Sequence, residues 1–137
     1  MAGIAELIRK EENGTISFGN YELPKKEKVD NFEYNGDLYK VKTFKDMTKL
    51  EKNGMIAYES VPGTTVYNYH VTENEVTFEV EGNEDAQLTL ELAEDTEYEV
   101  SIDGARTGDI KTNITAKLVV GVELEHAEVV SIRIKKK

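Results

Sequence analysis

The chain has no cysteine and no tryptophan, and only two prolines and two histidines in 137 residues. Without cysteine there is no disulfide, no thiolate nucleophile and no cysteine-ligated metal. No apolar run approaches the roughly 20 residues of a membrane-spanning helix. Residues 1–10 lack a basic start followed by an apolar block, so the sequence predicts either a cytoplasmic protein, the first expectation, or a mature fragment, with no membrane partner. Glycine-rich phosphate loops, H-E-x-x-H, G-x-S-x-G and EF-hand patterns are all missing. The acidic pairs Glu84-Asp85 and Glu94-Asp95 lack the spacing that wraps calcium. His70 and His126 fall in unrelated elements, and lone histidines of this kind are mostly bystanders. The sequence therefore predicts no catalytic residue, no cofactor and no metal site.

What the chain has in plenty is negative charge, unevenly placed. The net charge is −10, of which −1 falls in residues 1–70 and −9 in residues 71–137. An acidic surface repels phosphate backbones, which argues against a nucleic-acid partner. Its plain role is solubility and protection of sheet edges.

The strongest pattern runs over residues 75–92. Val76, Phe78 and Val80 alternate with Glu75, Thr77, Glu79 and Glu81; after a turn at Gly82-Asn83, Ala86, Leu88, Leu90 and Leu92 alternate with Gln87, Thr89 and Glu91. A period of two puts the apolar side chains on one face and the carboxylates on the other. The same alternation marks Tyr98, Val100 and Ile102; Leu118, Val120, Val122 and Leu124; and Val130, Ile132 and Ile134, before a lysine tail expected to be solvated. The expected core is Val76, Phe78, Val80, Leu88, Leu90, Val100, Ile102, Val120 and Ile132.

The first half carries turn signals every 8 to 12 residues or so, as in a β-sandwich or barrel. Asn35-Gly36 and Asn53-Gly54 suit two-residue type I′ hairpins. Pro62-Gly63 suits a type II turn. Residues 45–52 fit either a strand or a short helix. At the start, Ile4, Leu7 and Ile8 stand at i, i+3 and i+4 with Asn13-Gly14 as a stop, predicting one short helix over residues 1–12. The fold expected is all-β: one antiparallel β-sandwich domain of about ten strands with that N-terminal helix, a hairpin-rich half at 15–71 and an acidic half at 75–134.

Two candidate sites follow. Strict alternation puts Tyr67, Tyr69 and Val71 on one face of a strand, where the two rings serve either as core or as a stacking platform for sugars. The helix stripe Ile4, Leu7 and Ile8 either docks on its own sandwich or joins a second copy as a closed homo-oligomer through the nearly neutral first half.

Tyr98, Val100, Asp103-Gly104, Thr107-Gly108 and the Gly121-bearing run Lys117–Val122 resemble the closing strands of β-sandwich modules appended to carbohydrate-active enzymes. Through Phe44, Tyr58, Pro62-Gly63 and Glu81-Gly82, the chain also resembles short bacterial proteins, some of which carry the label endosialidase. Sialidase-like enzymes are similar to one another in an arginine triad, a tyrosine nucleophile and a large propeller. This chain has three arginines, Arg9, Arg106 and Arg133, scattered over its length, and is too short for a propeller. The resemblance is thus taken without that activity. The first function expected is a non-catalytic interaction or assembly module with a protein partner, itself included. A small carbohydrate-binding module comes second, and a hydrolase built on unpaired acids is a distant third.

Overall fold

The period-two segments build two antiparallel sheets in the computed structural model, which describes residues 3–137. The seven-stranded sheet runs, in spatial order, β1 (Ile8–Lys10), β2 (Ile16–Phe18), β7 (Thr65–Val71), β8 (Glu75–Glu81), β13 (Val130–Lys136), β10 (Glu97–Ile102) and β11 (Ala105–Lys111). The six-stranded sheet runs β12 (Lys117–Val122), β9 (Ala86–Glu91), β6 (Met55–Val61), β5 (Met47–Lys52), β4 (Asp37–Phe44) and β3 (Glu27–Tyr34). Their dry faces meet in one core. Tyr58 of the six-stranded sheet makes edge-to-face contacts with Phe18 at 5.4 Å and Phe78 at 5.6 Å, both from the seven-stranded sheet. Eight of the nine expected core residues are buried, and Ile102 is partly buried against the same cluster.

The expected helix does not form; no helix occurs among the described residues. Leu7 takes φ +70°, and the chain then enters β1, pairing Ile8 with Phe18 and Lys10 with Ile16. A helix this short is marginal alone, whereas a strand gains ladder bonds to β2 and still buries its apolar side chains. Ile4, Leu7 and Ile8 are all buried within the chain. They are core, so the expectation that they reach a partner subunit is corrected.

Three hairpins turn on Asn35-Gly36, Asn53-Gly54 and Asp103-Gly104, each with both φ angles positive, as the type I′ turn requires. Residues 47–52 are strand, which settles the ambiguity there. The turn that begins at Gly82-Asn83 carries the chain between sheets: β8 and β9 lie in different sheets, so residues 82–85 cross the sandwich. Pro62-Gly63 is not a type II turn, because Gly63 lacks the positive φ that its second central position requires. A Cβ on Gly63 would stand 2.0 Å from the Phe44 carbonyl oxygen, so this glycine serves close approach instead.

Beside Gly63 the sandwich interior holds hydroxyls rather than hydrocarbon. Thr43, Thr48, Ser60 and Thr64 are fully buried. Thr48 Oγ1 lies 2.8 Å from Thr43 Oγ1 and 2.7 Å from the Thr64 carbonyl, and Thr64 Oγ1 lies 2.7 Å from Ser60 Oγ and 2.9 Å from the Tyr58 hydroxyl. Every buried side-chain polar atom among the described residues has a partner. Such a network fixes register instead of leaving reactive groups unpaired.

Candidate functional site: a polar trough on the seven-stranded sheet

β7 starts in regular register, with Val66 facing inward opposite Val80 and Tyr67 outward opposite Glu79. Asn68 then adopts φ +55° and inserts an extra residue, so pairing resumes at His70 with Thr77. This bulge overturns the expected common face of Tyr67 and Tyr69. Tyr69 turns into the core, 5 % exposed, with its ring 5.6 Å from Phe18 and 6.1 Å from Phe78. Tyr67 stays outside, half-buried, and its hydroxyl donates to the buried Glu81 carboxylate. Burial and that carboxylate both push the Tyr67 phenol well above its ordinary pKa. The two rings do not form a shared platform.

Asparagine tolerates the left-handed conformation, and its amide closes local hydrogen bonds there. Asn68 Nδ2 donates to Glu79 Oε1 at 2.9 Å, and Asn68 Oδ1 accepts from Asn13 Nδ2 at 3.2 Å and lies 3.0 Å from the Thr15 hydroxyl. The Asn68 N–H donates to the buried Ser17 hydroxyl at 3.1 Å, and Ser17 donates in turn to Glu11. That hydrogen bond holds the Glu11 carboxyl below the usual carboxylate range, against the opposing effect of burial, with Arg9 Nε at 3.1 Å adding to it. The β1–β2 hairpin is thereby tied to the bulge of β7.

The bulge forms one wall of an open concavity of about 520 Å³ on the outer face of this sheet. Its floor is short side chains: Thr77 of β8, Ser131 of β13 and Ser101 of β10. Thr77 pairs with Arg133, and Ser131 with Glu79, in the cross-strand register. Arg133, a longer lining residue, reaches Glu75 Oε2 with its Nε at 2.9 Å and is drawn toward β8. Asn68 and His70 stand on one side of the trough and Gly104 on the other. The lining offers amides, hydroxyls, an imidazole, a carboxylate and a guanidinium, a set suited to hydrogen-bonding a polar chain laid across the strands.

Other candidates do not converge. His126 is almost fully exposed and lines a different concavity from His70. The three arginines hold separate carboxylates: Arg9 pairs with Glu11, Arg106 with Glu99 and Asp109, and Arg133 with Glu75. Among the described residues no group of three or more His, Asp or Glu is placed to hold a metal ion.

Asn68, Thr77, Glu79, Ser101, Ser131 and Arg133 escaped the sequence reading. The available signal was a run of short polar residues at outward positions of three adjacent strands, with an asparagine amid the Thr65–Val71 apolar alternation. Comparison with known proteins gives no match to a family model, to a curated protein or to a solved structure.

Proposed function

We propose that the chain is a non-catalytic interaction module that holds its partner in the polar trough of the seven-stranded sheet. The observation that carries this reading is the bulge at Asn68. A residue in the left-handed region is tied by its side chain to Asn13, Thr15 and Glu79, which preorganises one wall of the concavity. The trough's acid and cation are both engaged, Glu79 with Asn68 and Arg133 with Glu75, as befits fixed hydrogen-bonding groups rather than a proton shuttle.

A second reading, a small carbohydrate-binding module, is favoured by the lining itself. Hydroxyls and amides on Asn13, Asn68, Thr77, Ser101 and Ser131 match the donors and acceptors of a sugar chain. This moves the carbohydrate hypothesis from Tyr67 and Tyr69 to the trough.

The test of non-catalytic character is incubation with a panel of chromogenic glycosides and esters, alongside the Glu79→Gln variant. The expected result is no turnover by either protein. Turnover by the parent chain that vanishes in Glu79→Gln would overturn the proposal and promote the trough to an active site.

A further inference from the structure

We propose that the β12 edge of the six-stranded sheet is a self-association surface, where two copies pair β12 with β12 antiparallel and join their sheets. The four sheet edges are unequal. β1 is three residues long. β3 is broken by a register shift between Val29 and Phe32, with Asn31 at φ +56°. β11 carries Gly108 at φ +151° and the ion-paired Arg106 and Asp109, which also binds Lys137. Bulges, shortness and charge are the usual means of blunting an edge. β12 pairs with β9 over six residues with no register shift, and it presents Val119 46 % exposed beside Gly121, around which space is open.

The polarity of the edge follows from the ladder. The Ala116 carbonyl accepts from the Leu92 N–H at 2.8 Å, so the even-numbered residues of β12 bond to β9. Lys117, Val119 and Gly121 therefore turn their N–H and C=O groups outward. A two-fold partner must match odd residues with odd residues, because opposed residues share a face. Two central registers satisfy this. One sets Val119 against Val119 and leaves Lys117 opposite Gly121. The other sets Val119 against Gly121 and brings Lys117 opposite Glu123, twice by symmetry. Charge selects the second, since opposite charges directly across strands stabilise a pair. The occupant is therefore a second copy of this chain, with Val120 on the axis and Leu118 and Val122 continuing the dry face. The trough lies on the other sheet, so either proposal can fail without the other.

The chain has no cysteine of its own, which makes the register readable by cross-linking. Cα atoms of the opposed pair would lie about 5.5 Å apart, within disulfide reach, and diagonal neighbours about 7–8 Å, beyond it. Val119→Cys chains mixed with Gly121→Cys chains under mild oxidation should give the mixed disulfide, with much less cross-linking of either variant alone. Sedimentation should show a mass of two chains at high concentration. Lys117→Glu should raise the dimer dissociation constant about tenfold, and adding Glu123→Lys should restore it. A mass of one chain at every concentration overturns the proposal. So does preferential cross-linking of Val119→Cys with itself, or a dimer that neither the cysteines nor the charge reversal touches.

Discussion

Asn68 decides more of this surface than any other residue. Its left-handed backbone and its side-chain bonds are separate contributions, and two substitutions divide them. Asn68→Gly removes the side-chain bonds and also the Cβ that strains a left-handed backbone, whereas Asn68→Ala removes the same bonds but keeps the Cβ where φ is +55°. The alanine variant should be less stable than the glycine variant by about 1 kcal/mol in urea unfolding. Equal midpoints would mean the bulge relaxes when the side chain is gone. Gly63 is the opposite case, where space and not φ is limiting. Gly63→Ala must push against the Phe44 carbonyl, which is backbone, and should cost about 2–3 kcal/mol. Phe78→Ala, removing a buried ring packed on Tyr58 and Tyr69, should cost about 3–5 kcal/mol.

Strands were legible wherever two-residue periodicity was unbroken, and hairpins at Asn35-Gly36 and Asn53-Gly54, whereas Asn13-Gly14, read as a helix stop, lies in the β1–β2 hairpin. The failures have specific physical causes. Ile4, Leu7 and Ile8 fit a helical stripe, but a three-residue strand after a left-handed Leu7 buries the same side chains. Tyr67 and Tyr69 fit one face until the Asn68 insertion shifts the pleat, and local alternation carries no sign of a bulge. The link across 82–85 is read equally well as a hairpin or a crossing, since both juxtapose two dry faces. The trough itself is a product of sheet pairing between distant strands, which alternation within one strand does not reveal. At this scale the β1–β2 hairpin should be sensitive to acid. The Glu11 pKa is lowered on folding, so its contribution is present above the unfolded carboxylate value of about 4.3 and is lost as pH falls through the lower folded value. The stability gap between the parent chain and Glu11→Gln should therefore narrow as pH drops below about 4. A gap unchanged by pH would show that the Ser17 and Arg9 contacts do not favour the charged form.

Across the whole molecule, charge is sorted by sheet as much as by sequence half. On the outside of the six-stranded sheet Lys28, Lys42 and Lys49 stand directly opposite one another on β3, β4 and β5. Lys40, Lys49 and Lys26 hold the Lys42 ammonium below its ordinary pKa. Opposed like charges destabilise a sheet, so Lys42→Gln should raise the unfolding temperature at low salt, with the gain fading as salt is added. On the seven-stranded sheet β13 instead interleaves cations with acids: Lys135 lies between Glu75 and Glu99, and Arg133 bonds Glu75. The lysine tail is not simply solvated, since Lys137 reaches Asp109 at 2.7 Å and Glu97 at 3.4 Å. The trough lining holds one carboxylate, Glu79, and one guanidinium, Arg133, among hydroxyls and amides, the composition on which the proposed binding of a polar, uncharged chain rests. The most direct measurement is an amide chemical-shift titration of the nitrogen-15-labelled protein with soluble neutral oligosaccharides. With the trough as binding surface and a sugar chain as its occupant, the second reading proposed above, saturable shifts should centre on Asn68, His70, Thr77, Ser101 and Ser131, weakened by Asn68→Ala, with the six-stranded sheet unmoved. Saturable shifts on another surface, with these residues silent, would contradict it.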